Sequence, residues 1–344
     1  MRILLVQTSF LGDVILSTPV LGAVKQLYPC SELWTLTTQE SEELLRRDPF
    51  ISGRLVFDKK GADGGAAGIV RMAASLRAMR FDRAYILHRS ARTALLMALS
   101  GIRPRIAFKE ASFSFLHHQR VVRPKGRHEV LRNLSILSAE AEPTAFAGEI
   151  RLFAPRFEEL APARRELFAK LSRYLVLVPG SVWPTKMWHW QGYREVARHF
   201  LALGWQAVIL GAAAEKQVAH KVCEGLPALN LAGETTISEV MYLVRHAALV
   251  VCNDSMALHL ASGFKVPAVA VFCATSPAFG FGPWKNEALV VEENLPCRPC
   301  SRHGTRRCPL GTESCMRLPA KLVIEKAELL LAQSGAARKT AGGV

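Results

Sequence analysis

The chain has 344 residues, half of them hydrophobic and 21% charged, which excludes a disordered or fibrous protein and leaves room for two domains of ordinary size. Its formal net charge of +15 points to an anionic partner: nucleic acid, an acidic membrane surface or a phosphorylated substrate. No apolar run reaches the ~20 residues of a membrane span, so the chain reads as cytoplasmic, with its eight cysteines mostly reduced.

Residues 2–6 read as a first strand and 7–13 as the loop after it. The apolar run is broken by Gln7, Thr8 and Ser9 and followed by Asp13, which argues for a strand rather than a secretory signal. Residues 14–28 carry apolar side chains at helical spacing, and Pro29 closes that helix. Pro19 either kinks it or stands in the first turn of a helix starting near Thr18. Short strands are expected at 33–37 and 55–57, then a Gly- and Ala-rich loop over 59–68 and a helix through Arg80. A strand over 84–88 and a helix over 92–99 follow. Residues 101–132 hold eight Lys or Arg against two Glu, the pattern of a solvated basic face.

Pro143, Pro155 and Pro162 mark a change of character, and the domain boundary is set there, with units over 1–165 and 166–333. The tail, 334–344, is small and polar and is expected to be disordered. Within the second unit the spacing predicts a strand over 174–178, a helix over 193–203 and a strand over 207–210. Helices over 215–224 and 237–245 come next. Two β-branched runs, 247–252 and 266–272, then read as buried parallel strands joined by a short crossover helix. The alternation defines two doubly wound α/β halves, with ligands expected at the C-terminal ends of the strands, in the cleft between halves.

Two loops of the second half carry chemistry. Asn253-Asp254-Ser255 lies where a strand ends and a helix begins, as a helix cap or as an anion site on the free N–H groups there. Pro179-Gly180-Ser181 follows the first strand of that half. Gly180 lets backbone approach a ligand, Ser181 offers a hydroxyl, and Lys186 is either a point charge for an anion or a solvated side chain. Trp183, Trp188 and Trp190 have the alternative of plain packing.

Gly12-Asp13, Pro179-Gly180-Ser181 with Lys186-Met187-Trp188, 231–236 (Leu-Ala-Gly-Glu-Thr-Thr), Asn253-Asp254-Ser255 with His259, and Thr275-Ser276-Pro277 occur in one order. That order resembles the ADP-heptose:lipopolysaccharide heptosyltransferases, nearest their heptosyltransferase II branch, over residues 1 to about 330. The resemblance implies a GT-B architecture, two Rossmann-like doubly wound domains, and inverting transfer of heptose from ADP-heptose to the phosphorylated inner core of lipopolysaccharide. Where the family has Gly after Asn-Asp-Ser, this chain has Met256, followed by Ala257, which puts a side chain where diphosphate oxygens approach the backbone.

Such a transfer needs a base for the acceptor hydroxyl and stabilisation of a departing diphosphate. Asp13 is the candidate base, beside Gly12, with helix capping as its other reading. Lys186, Ser181 and the N–H groups after Asp254, at Ser255, Met256 and Ala257, would hold the diphosphate. By resemblance, Glu215 and Thr235 would lie near the ribose and adenine. The sequence contains no Asp-x-Asp pair for a metal-bridged leaving group, so catalysis is expected to need no cofactor.

Cys297, Cys300, Cys308 and Cys315 are spaced as C-x2-C-x7-C-x6-C. They read as a structural zinc site, an iron–sulfur site, or a loop of free cysteines. The expected protein is thus a cytoplasmic glycosyltransferase, peripheral to the inner membrane, whose basic 101–132 region meets the phosphorylated acceptor and anionic lipid; nucleic acid is not expected as a partner. The rivals are a transferase for another nucleotide sugar and a non-catalytic basic module for membrane or nucleic acid.

Overall fold

The structure, a computed structural model, describes residues 1–59 and 61–341, with side chains described as far as Ser334. The chain divides into two compact units, residues 1–153 and 154 onward. The first contains β1 (Arg2–Val6), α1 (Leu11–Leu27), β2 (Glu32–Thr37), α2 (Gln39–Leu45), β3 (Ile51–Val56), α3 (Gly65–Ala78), β4 (Arg83–Ile86), α4 (Ala91–Leu99), β5 (Arg105–Phe108), β6 (Gln119–Val121) and α5 (Glu129–Leu134). Its sheet is parallel, in the order β3-β2-β1-β4-β5-β6.

The second unit runs α6 (Pro162–Phe168), β7 (Tyr174–Val178), α7 (Trp190–Ala202), β8 (Gln206–Ile209), α8 (Lys216–Cys223), β9 (Leu229–Asn230), α9 (Ile237–His246), β10 (Leu249–Asn253), α10 (Met256–Phe264), β11 (Ala268–Phe272), β12 (Ala288–Glu292) and α11 (Ala320–Ala341). Its sheet has the order β12-β11-β10-β7-β8-β9, again all parallel. Counted from its own first strand, this is the same order as in the first unit. Both are the doubly wound pattern in which strand order reverses between the first and fourth strands. The reversal leaves a crevice at the carboxyl ends of β1 and β4, and another at those of β7 and β10.

The central strands are continuous apolar runs because helices cover both faces. Ile3 through Val6, Leu175 through Leu177, and Leu249 through Cys252 are all essentially buried. Among the described residues no helix is long and apolar enough to cross a membrane.

Four differences from the sequence reading have local causes. The first helix starts at Leu11 rather than near Val14, with Pro19 inside it, as one of the two alternatives had it. A proline there leaves the Ile15 carbonyl without its usual N–H donor, a loss of about 3 kcal/mol in an unrelieved helix. The Thr18 hydroxyl donates to that carbonyl instead, at 2.8 Å, recovering about 1 kcal/mol. The units divide between Phe153 and Ala154 rather than at 165/166. Arg151 is tied to the first unit through Thr18 and Asp48, whereas Phe168 of α6 stacks on Tyr242 of the second, centroids 5.8 Å apart.

The stretch from 334 is helical to Ala341, as the end of α11, where disorder is expected from composition; residues 342–344 lie outside the described residues. The basic 101–132 stretch is not wholly a solvated face. Arg105 is buried and donates to the carbonyls of Ile102 and Leu116. Arg123 and Arg132 are buried against Glu129. Arg103, Lys109, Arg120, Lys125 and Arg127 remain exposed.

Candidate active site

In the second unit, the loops after β7 and β10 meet at the point where strand order reverses. Asn253, the last residue of β10, is buried. Its amide nitrogen donates to the carbonyls of Pro179 and Gly180, at 2.9 and 3.2 Å, and its amide oxygen accepts from the Trp188 N–H at 2.9 Å. One side chain thereby fixes both ends of the 179–188 loop. Lys186 closes a single 3-10 turn in that loop, and its Nζ lies 2.7 Å from Asp254 Oδ2. The Thr275 hydroxyl, just beyond β11, donates to the same oxygen at 2.8 Å.

Ser255 occupies the cap position of α10, yet its side chain makes no cap bond. Its Oγ is buried without a hydrogen-bond partner, so the plain capping role is not what it performs. Met256 and Ala257 form the first turn of α10 behind it. Glu215 sits after β8 and accepts from the Ala212 N–H at 2.7 Å; burial raises its carboxyl above the usual range. A Cβ on Gly180 would lie 2.0 Å from the Glu215 Cδ, so a side chain there would push the Glu215 carboxylate aside. Gly233, at a φ of +68°, would place a Cβ 2.7 Å from the Ala213 Cα, which sets the 231–236 loop against the Glu215 turn. Thr235 belongs to that loop, and its neighbour Thr236 caps α9 with Glu239.

Trp188 is packing, not ligand surface. It is buried, donates Nε1–H to Leu318 O at 2.8 Å, and lies against Tyr193. Asn253 and Thr275 were legible only as members of motifs; no local signal marked them as the groups that hold Lys186 and Asp254.

The thiols of Cys297, Cys300 and Cys308 all lie within electrostatic reach of Cys315, but they are not gathered into a metal-binding group. Among the described residues no group of three or more His, Cys, Asp or Glu could hold a metal ion. Cys315 is buried in the core with Met316 and Leu318, where burial pushes its thiol up to about 11. The Cys300 thiol donates to the Cys297 carbonyl at 3.2 Å. The segment is held by other means. The Arg298 guanidinium donates to the carbonyls of Phe272 and Thr275, at 2.7 and 2.8 Å, and Thr305 bonds reciprocally with Thr185. A Cβ on Gly304 would come 3.0 Å from the Lys186 Cγ. The cysteine-bearing segment therefore lies over the Lys186 stem and contributes to its burial.

In the first unit, Gly12 and Asp13 are the second and third residues of α1, which is preceded by Phe10. Asp13 is thus in the first helical turn and is not the cap. It lies within electrostatic reach of Arg89, whose guanidinium is lowered by burial and then by the nearby Arg123 charge, and raised by carboxylates including Asp13. A cavity of about 600 Å³ lined by Arg173, Trp205 and Arg245 opens at the amino ends of the second sheet, away from Lys186 and Asp254.

Two doubly wound parallel sheets of one strand order are the GT-B architecture. Residues 69–310 match the family described as "Glycosyltransferase family 9 (heptosyltransferase)". The chain is 27% identical over 338 residues to lipopolysaccharide heptosyltransferase 3 of Escherichia coli K12, covering 93% of this chain and 95% of that one. It is 24% identical over 306 residues to lipopolysaccharide heptosyltransferase 2 of the same strain, covering 85% and 88%. The solved E. coli ADP-heptose lps heptosyltransferase II superposes with a TM-score of 0.79 at 22% identity, over 97% of this chain and 100% of that chain. The protein belongs to glycosyltransferase family 9, the heptosyltransferases, and is an enzyme.

Proposed function

We propose that this enzyme transfers heptose, with inversion, from ADP-heptose to a phosphorylated sugar of the lipopolysaccharide inner core. The observation that carries the reading is the Lys186 ammonium held on Asp254 beside the start of α10. An ammonium has three N–H donors; Asp254 takes one and two are left for diphosphate oxygens. The free N–H groups of the first turn of α10, at Met256 and Ala257, add to them, as do the hydroxyls of Ser181 and Ser255. Glu215 beside Gly180 is suited to accept from ribose hydroxyls, with Thr235 towards the adenine.

In the reaction, Asp13 takes the proton of the acceptor hydroxyl as that oxygen bonds to the anomeric carbon. The bond from that carbon to the diphosphate oxygen breaks, and ADP leaves with its new negative charge offset by Lys186. The scheme uses no cofactor, because Lys186 and the N–H groups meet the leaving-group charge. The names of the relatives and the exposed cations Arg103, Lys109, Arg120, Lys125 and Arg127 support work on a lipid-linked acceptor at the cytoplasmic face of the inner membrane, where anionic headgroups attract such cations.

The test is incubation of the purified protein with ADP-heptose and a lipopolysaccharide core lacking the terminal heptose, reading ADP release and the mass of the product. ADP-heptose turnover with one heptose added to the core supports the reading. Turnover with a UDP- or GDP-sugar and none with ADP-heptose would replace the donor.

A further inference from the structure

The turn after β11, residues 273–275, touches both members of the Lys186–Asp254 pair. On one side the Thr275 hydroxyl donates to Asp254 Oδ2 at 2.8 Å. On the other the Ala274 N–H donates to the carbonyl of Thr185, the residue before Lys186, at 3.2 Å. Thr185 and Thr275 are both buried, so water cannot stand in for a lost partner. The sheet does not hold this turn, because the pairing of β11 with β12 ends at Phe272 beside Glu292. Its carbonyls must be met from elsewhere.

Arg298 meets them. Its side chain is 6% exposed, and Nη2 donates to the carbonyls of Phe272 and Thr275, at 2.7 and 2.8 Å. Nε donates to the carbonyl of Cys273, and Nη1 to that of Glu293. The Cys300 N–H donates to the remaining carbonyl of the turn, that of Ala274, at 2.9 Å. One planar fork of N–H donors thus spans the carbonyls of residues 272, 273 and 275, which the compact ammonium of a lysine could not do. The carboxylate partner of Arg298, Glu292, lies 3.0 Å away and is 41% exposed, so ion pairing alone does not account for a buried guanidinium here.

We propose that Arg298 is a positioning residue for the diphosphate of the donor. By clamping residues 272–275 it sets the Thr275 hydroxyl on Asp254 and the Ala274 N–H on the backbone beside Lys186. The stem of a lysine is flexible, and its ammonium keeps one direction only while the groups around it are fixed. Here those groups are Asp254 and the backbone of Thr185, and Arg298 acts through both. The proposal rests on the reading of Lys186 as a diphosphate contact, and it does not depend on which base or sugar the nucleotide carries.

The test measures ADP affinity by calorimetry for the full chain and its variants, each first shown to be folded by its thermal transition. Thr275→Val removes the hydroxyl at nearly constant shape, Thr275→Ser keeps it, and Arg298→Lys keeps the charge without the fork. Thr275→Val and Arg298→Lys should each raise the ADP Kd about tenfold, the scale of one charge-assisted contact, with Thr275→Ser within about twofold of the unmodified enzyme. Arg298→Lys/Thr275→Val should stay well short of the roughly hundredfold that independent effects would give. In turnover the donor KM should rise while the acceptor KM holds within about twofold. The rescue by serine and the shortfall in the double variant are readouts that lost stability alone would not produce. Where Arg298→Lys does not fold, Thr275→Val against Thr275→Ser decides. An ADP Kd within about twofold of the unmodified enzyme in either single variant, or an additive loss in the double one, would overturn the proposal. So would an unmodified enzyme that binds none of ADP, UDP and GDP. ADP binding without heptose transfer would instead remove the function proposed above, and the affinities would still decide the role of Arg298.

Discussion

Lys186 Nζ and Asp254 Oδ2 stand 2.7 Å apart with only 14% and 5% of their side chains exposed. Two charges taken out of water hold each other, and removing one strands the other. Lys186→Met is expected to cost about 3–5 kcal/mol of stability by leaving the Asp254 carboxylate uncompensated. The double variant Lys186→Met/Asp254→Asn should recover most of that, because no buried charge remains. Urea unfolding of the two variants checks this, with ADP affinity read on both. If ADP affinity returns together with stability in the double variant, Lys186 is a structural ion and not a diphosphate contact.

Asp13 is the third residue of α1, so its contribution to the helix is a dipole interaction of about 0.3–1 kcal/mol and not a cap. Asp13→Ala is therefore expected to fold normally and bind donor with near-normal affinity. Its turnover should fall by about 10²–10⁴, because a base acts in the transition state. Steady-state kinetics beside a donor-binding isotherm measure both, and turnover within tenfold of the unmodified enzyme would rule Asp13 out as the base.

Gly180→Ala forces a methyl group to within 2.0 Å of the Glu215 carboxyl carbon, so one of the two must move. Because only the end of the half-buried Glu215 side chain has to swing aside, the expected stability cost is small, about 0.5 kcal/mol, with weakened nucleotide binding as Glu215 is displaced. Gly180→Ala/Glu215→Ala should regain the stability and keep the binding defect. Recovery of binding in the double variant would take the ribose role away from Glu215.

His88 and His117 both have pKa values lowered to about 4, chiefly by burial, and the His117 Nδ1 is buried without a partner. An unfolded histidine titrates near 6.5. Between pH 6.5 and about 4 the unfolded chain binds more protons than the folded one, so stability is present in full above 6.5 and falls as pH drops through that window. Below about 4 these two groups add nothing further. His88→Gln and His117→Gln should each flatten the slope of unfolding free energy against pH in that window. Equal slopes before and after substitution would mean that both rings are solvated and titrate as free histidines.

The apolar runs and the helical spacing between them are enough to define two doubly wound units. A strand buried on both faces has to be continuously apolar, and a covering helix has to be amphipathic or apolar. The short polar stretches at strand ends were legible for the same reason, since Gly180, Asp254 and Ser255 interrupt those runs where backbone must turn. β6 and β12 were not legible: β6 is three largely polar residues at a sheet edge, and β12 is only partly buried. The inward turn of Arg105, Arg123 and Arg132 also escaped composition, because a guanidinium is buried only where carbonyls or a carboxylate such as Glu129 await it. The cysteine spacing brings Cys297, Cys300 and Cys308 within electrostatic reach of Cys315, which is itself buried among apolar neighbours, while Arg298 and Thr305 hold the loop. Above all, sequence brings Lys186 and Asp254 no nearer than their separate motifs. They meet because β7 and β10 pair in parallel, Leu177 beside Val251 and Val178 beside Cys252, so that the loops leaving both strands open at the same edge. Thr8 and His88 meet by the same rule in the first unit, where β1 pairs with β4.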